Sequence, residues 1–172
     1  MLPEEIKKLI GMTGSAKVYE VEKGAIRRFA DAVDDTNPLY QDDAYARNSR
    51  YGSIIAPPGF FGWPLKQARG SPLIIDMPTE LISAFEQAGY PLSSAIDGSI
   101  EYEFFLPVHA GDILTAITTV RNLRERTENT GHMVFIILET TFQNQSGVPV
   151  AIQQATITLH SFNGHSKEQA NA

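Results

Sequence analysis

Two hydrophobic periods divide this chain. Ile26, Phe29, Ala30 and Val33 fall at i, i+3, i+4 and i+7, a single apolar stripe that predicts a helix from Gly24. The helix should stop by Thr36, because Asn37 precedes Pro38 and is pushed out of the α region. Ahead of it, residues 16–22 alternate in polarity and predict a short strand. After it, Asp42 and Asp43 begin a short helix over Ala44, Tyr45 and Ala46, with an acidic first turn suited to the macrodipole. The stretch from Ala56 to Pro64 holds three prolines, a residue tolerated in a first helical turn, so a helix can begin there and be bent or ended by Pro64. Residues 79–88 read as a further helix: Thr79 as N-cap, Leu81, Ile82, Phe85 and Ala88 as its stripe, Gly89 as its end.

The C-terminal half changes in kind. Residues 96–106, 113–125, 132–144 and 149–161 are long runs rich in Ile, Val, Thr and Phe, separated by turn signals at 107–111, 128–131 and 145–147. Helices followed by long antiparallel neighbours give an α+β class, with helices on one sheet face.

Composition narrows the function classes. At 172 residues, 42% hydrophobic and 20% charged, the chain reads as one globular domain over 1–163, with a disordered tail over 164–172. A net charge of −6 argues against nucleic acid as partner, since backbone binding needs a clustered basic surface. The absence of Cys excludes disulfides, thiolate metal sites and Cys nucleophiles. No apolar run reaches the roughly 18 residues a bilayer span needs, and the N-terminus lacks a signal-peptide apolar region, so the expected location is the cytoplasm, away from membranes.

Asp34, Asp35, Asn37 and Tyr40 are the polar residues that stand out, directly after the first helix. By themselves they make a good helix stop and turn, because Asx side chains bond local backbone. The four His residues are scattered without ligand spacing, so no metal is expected, and His109 reads as a solvated turn residue. Glu101 and Glu103, at i and i+2 on a strand, share a face, as a carboxylate pair or simply as its solvent side. Phe60, Phe61 and Trp63 read as core, or as an aromatic helix start lining a tunnel. Ser53 has no partner motif for nucleophilic work.

The segments Phe29–Tyr40, Tyr51–Phe60 and Ile100–Asp112, the last ending in Pro-x-x-x-Gly-Asp, resemble MaoC-like dehydratases of the N-terminal-half type. The resemblance runs from about Lys17 to Ser161 and implies a hot-dog fold, a long antiparallel sheet wrapped around a central helix and assembled as dimers. Members with known chemistry are R-specific enoyl-CoA hydratases and related acyl dehydratases of fatty acid metabolism, and their motif is Gly-Asp-x-Asn-Pro-x-His. Asp35 matches the catalytic Asp, Asn37 and Pro38 match, Asp34 stands at the Gly and Tyr40 stands at the catalytic His. The family's Asp and His hold the water that adds to Cβ of an enoyl thioester. A Tyr, with a pKa near 10, holds water but is a poor base. Where active members open the central helix with His-Gly, this chain has Ala56-Pro57-Pro58-Gly59, and neither proline has an N–H for the thioester oxyanion.

The resemblance therefore implies a hydro-lyase of the hydratase/dehydratase type, or the substrate-binding subunit of a two-component hydratase. Asp35 and Tyr40 are the catalytic candidates; Asn37, Gly59, Phe60, Phe61 and Trp63 are the candidates for binding acyl-CoA or an acyl-carrier thioester. No cofactor is expected. The alternatives are a non-catalytic acyl-CoA binding protein and a hot-dog thioesterase. The segment Lys66–Ser94 is either an overhang making room for a bulky acyl group or a packing insertion. A homodimer, or a heterodimer with a catalytic MaoC-like subunit, should cover the long apolar strand at 149–161.

Overall fold

The structure, a computed structural model, describes residues 2–60, 77–90, 92, 95–128 and 131–162. Phe61, Trp63, most of the 66–94 segment up to Met77, and the tail from Gly164 lie outside the described residues.

The described elements run α1 (Glu4–Lys7), β1 (Lys17–Glu20), α2 (Lys23–Ala32), α3 (Pro38–Gln41), α4 (Asp43–Asn48), α5 (Thr79–Gln87), β2 (Ala95–Phe104), β3 (Ile113–Glu128), β4 (Gly131–Gln143) and β5 (Pro149–Phe162). The strands form one antiparallel sheet in the order β1-β3-β4-β5-β2. β3, β4 and β5 are the meander that the runs of β-branched residues predict. β2 crosses over to pair with β5, Glu101 facing Gln154.

Alternation decides which face is core. Leu114, Ala116, Thr118 and Val120 of β3 are buried, as are Val134, Ile136, Leu138, Thr140 and Phe142 of β4. A register shift between Val120 and Asn122 reverses the parity, which brings Leu123 back to the buried face. The core falls into two clusters along the strands. One gathers Ile26, Ala30, Tyr40, Ile54 and Phe60 over Leu114, Phe142 and Val150. The other gathers Ile6, Leu81 and Phe85 over Val120, Ile136 and Ile157. Between them the cross-strand pair Thr118 and Thr140 joins hydroxyls at 2.9 Å, which lets two buried polar groups satisfy each other.

Several expectations need correction. Helix α5 begins at Thr79 itself, with Pro78 in the cap position and no side-chain cap. Its end is as expected: the Gly89 amide donates to Glu86 O and the Tyr90 amide to Phe85 O, a Schellman closure. The start of the helix expected within 56–64 lies beyond Pro57–Gly59, where Gly59 sits at φ +86°: Phe60 is the first helical residue, in 3₁₀ form, and 61–64 lie outside the described residues. Strand β5 needs no second molecule to cover its edges, since β4 and β2 flank it; the strands at the ends of the sheet are β1 and β2. Helix α1, with Leu2 and Ile6 anchored in the core, was not anticipated.

Candidate functional site

The helix α2 stop builds one half of the site. After Val33 the chain closes with a second Schellman pair: the Asp34 amide donates to Asp31 O at 3.2 Å and the Asp35 amide to Ala30 O at 2.8 Å. Such a closure needs a left-handed residue at its turn, and Asp34 takes it at φ 55°. Two Asx turns follow. Asp35 Oδ1 accepts the Asn37 amide at 3.1 Å, and Asn37 Oδ1 accepts the Leu39 amide at 3.0 Å, capping α3 with Pro38 in its first turn. The local reading of these residues as a helix stop and turn is therefore what the backbone does.

That turn fixes Asp35 half-buried and seats Tyr40 in the core at 7% exposure. Among the described residues no hydrogen bond reaches Asp35 Oδ2. Burial pushes the Tyr40 phenol above its ordinary pKa, and the Asp35 carboxylate and the Tyr51 phenol push it further. At neutral pH Tyr40 is thus a neutral hydroxyl. It can donate a hydrogen bond; it is not a base. Tyr51, which receives a hydrogen bond from Arg50 Nη2 at 2.6 Å, is a neighbour that residue-type reasoning passed over. A depression of about 270 Å³ beside the turn is lined by Ala30, Asp31, Asp34, Asp35, Thr36 and Gln41, so Asp35 borders it.

The other half is Ile54–Phe60. Ala56 donates to Val108 O at 2.8 Å and Ala110 donates to Ile54 O at 3.0 Å, pinning this segment to the Pro107–Asp112 turn. That turn is rigid in its own right: Asp112 Oδ2 accepts the His109 amide at 2.8 Å, and its Oδ1 accepts from Gln145 Nε2 at 3.1 Å. The His109 imidazole lies half-buried with Nδ1 3.9 Å from Asp112 Oδ2. The Ile55 amide reaches Leu39 O at 3.3 Å, which joins the two halves.

Pro57-Pro58-Gly59-Phe60 closes a β-turn in which the Phe60 amide donates to Pro57 O at 3.1 Å. Pro at the second and Gly, with positive φ, at the third position are the preferences of a type II turn. The Phe60 amide is therefore already engaged, and Gly59 N–H is the donor this turn has left to offer an oxyanion. The Phe60 ring is fully buried and meets Phe29 edge to face. The structure thus brings Asp35, Asn37, Tyr40, Gly59 and Phe60 to one end of the sheet; Phe61 and Trp63 lie outside the described residues.

Known proteins place this geometry. A relative from Thermobifida fusca, named only as a UPF0336 protein, is 33% identical over 112 residues, 64% of this chain and 66% of its own length. The ChsH1-ChsH2 complex from Mycobacterium tuberculosis contains a chain that superposes with a TM-score of 0.74 at 22% identity, covering 94% of this chain and 96% of that one. The MaoC-like dehydratase from Rhodospirillum rubrum superposes at 0.61, with 21% identity and coverage of 88% and 92%. The HadBC 3R-hydroxyacyl-ACP dehydratase complex, also from Mycobacterium tuberculosis, gives 0.67 at 20% identity, with coverage of 87% and 96%. The fold is the hot-dog of the MaoC-like dehydratases and R-hydratases, as the sequence motifs imply. A family model described as "FAS1-like, dehydratase domain region" matches residues 8–153, a span that holds both turns of the site, and the chain belongs to that family.

Proposed function

We propose that this chain is the acyl-thioester-binding subunit of a two-component hydratase, and that a partner hot-dog chain carries the acid–base pair for reversible hydration of a trans-2-enoyl thioester. The observation that carries this reading is Tyr40: a buried phenol raised above its usual pKa stands where the family motif has its His. A water molecule adding to Cβ needs a group that takes its proton near neutral pH, and a phenol titrating above 10 does not serve. The diproline turn supports the same reading, because of its four residues only Gly59 keeps an uncommitted amide to offer the thioester oxygen. Two of the similar structures are complexes of two named subunits, which favours a heteromer.

In this reading the thioester approaches the Asn37–Tyr40 turn and Gly59, and the acyl tail runs past Phe60. A calorimetric titration with CoA and saturated acyl-CoA of increasing length tests it. Affinity should rise by about 0.8 kcal/mol per buried methylene until the tunnel ends. Acyl-CoA binding no better than free CoA overturns the proposal.

A further inference from the structure

We infer that the Tyr51 hydroxyl, positioned by Arg50, receives the carbonyl oxygen of a bound acyl thioester beside Tyr40. This role rests on the reading of the site as a seat for an acyl thioester. It adds the group that tells a thioester from a plain alkyl chain on the same sulfur.

Tyr51 stands between α4 and the diproline turn. The 3.3 Å bond from the Ile55 amide to Leu39 O lays this stretch against the Asn37–Tyr40 turn. The half-buried Tyr51 ring packs on the core cluster that holds Tyr40 and Phe60. On its solvent side lies the exposed Arg50. Nη2 of Arg50 donates to the phenol oxygen at 2.6 Å, and the guanidinium carbon is 4.8 Å from the ring centroid.

The backbone does not need that contact. Ser49 Oγ accepts the Tyr51 amide at 3.1 Å, and Ser49 O accepts the Gly52 amide at 3.2 Å, so Ser49 closes the turn after α4. What Arg50 fixes is the ring and its hydroxyl. A guanidinium only donates, so its bond takes a lone pair of the phenol oxygen and leaves the phenol proton to be given onward. A cation on that oxygen strengthens the donation.

Tyr40 is the second donor. It is 7% exposed, yet among the described residues no hydrogen bond reaches its hydroxyl. A buried hydroxyl left open is costly unless water or a ligand completes it. The Asp35 carboxylate and the Tyr51 phenol both act on the Tyr40 phenol and help keep it protonated, which places the three groups in one electrostatic neighbourhood. Two neutral O–H donors call for an acceptor. In an acyl thioester that acceptor is the carbonyl oxygen, since thioether-type sulfur accepts weakly and the chain not at all. The diproline turn leaves Gly59 as its one open amide, so hydroxyls supply what the backbone withholds.

The test is calorimetric titration with two probes, a saturated acyl-CoA and the S-alkyl-CoA thioether of the same chain length, which lacks the carbonyl oxygen. Wild type should prefer the acyl-CoA. Tyr51→Phe should lower acyl-CoA affinity about tenfold and leave the thioether unchanged. Arg50→Gln should show the same selectivity with a loss of about threefold, because the hydroxyl remains but is no longer held or polarised. A thermal melt verifies that each variant folds, and Arg50, being exposed, gives a second variant independent of the core. Equal losses with both probes, or no loss with either, overturn this role alone and leave the binding reading standing. Wild type that binds acyl-CoA no better than free CoA overturns both.

Discussion

Phe29 on α2 meets Phe60 of the diproline turn edge to face, with ring centroids 5.8 Å apart and planes at 88°. This contact joins the helix that ends in Asp35 to the turn that presents Gly59, so the site's two halves share one piece of core. Phe60→Ala should cost about 3–5 kcal/mol in urea unfolding, because a fully buried ring leaves a cavity. A double-mutant cycle with Phe29→Leu and Phe60→Leu should show a coupling of about 0.5–1.5 kcal/mol. Strict additivity would mean the rings do not support each other.

Asp34 at φ 55° is the residue that lets α2 turn into the Asp35–Asn37 segment. Asp34→Val should lower stability by about 1–2 kcal/mol, since a β-branched residue resists the left-handed region. Asp34→Gly should be neutral or slightly stabilising. Equal melting temperatures for the Val variant and wild type would contradict this.

Gly14 passes so close to the start of α5 that an added Cβ would lie 2.4 Å from Cβ and Cγ of Pro78. A proline ring cannot swing aside, so Gly14→Ala should cost about 1–3 kcal/mol by overpacking. Chemical denaturation reads it directly.

Lys23 Nζ and Arg27 Nη2 hold Asp43 at 2.9 and 2.8 Å, tying α2 to α4. Hydrogen bonding from Lys23 lowers the Asp43 pKa most; desolvation raises it by less than that, and hydrogen bonding from Arg27 and the charges of both bases lower it further. A carboxylate whose folded pKa is depressed stabilises the fold above its unfolded pKa and loses that contribution as pH falls through the folded value. The stability gap between wild type and Asp43→Asn should therefore be present at neutral pH, vanish in acid, and shrink with salt. A gap that persists in strong acid would assign it to packing.

The strands were legible because β-branched residues and turn signals repeat along the second half, and the α2 stripe was legible because four apolar residues share one helix face. The placing of β2 beside β5 was not, since no local pattern encodes which distant edge a strand joins. Helix α1 is a single turn, too short for a periodic signal, held by burial of Leu2 and Ile6. At the site, the Asx turns of Asp35 and Asn37 followed from residue type alone. The diproline turn carried its own signal, Pro then Gly, and Gly59's positive φ makes it a turn that leads into the helical Phe60. The nearness of Tyr51 to Tyr40 arises only when Ile55 bonds back to Leu39.

The most direct test of the central claim is hydration of crotonyl-CoA by the purified chain, alone and with a hot-dog chain bearing Gly-Asp-x-Asn-Pro-x-His. Alone, the chain should run about 10²–10⁴-fold below the reconstituted pair, the usual contribution of a general acid–base group. Robust turnover by this chain alone, abolished by Asp35→Asn, would show that Asp35 and Tyr40 suffice and would contradict the account.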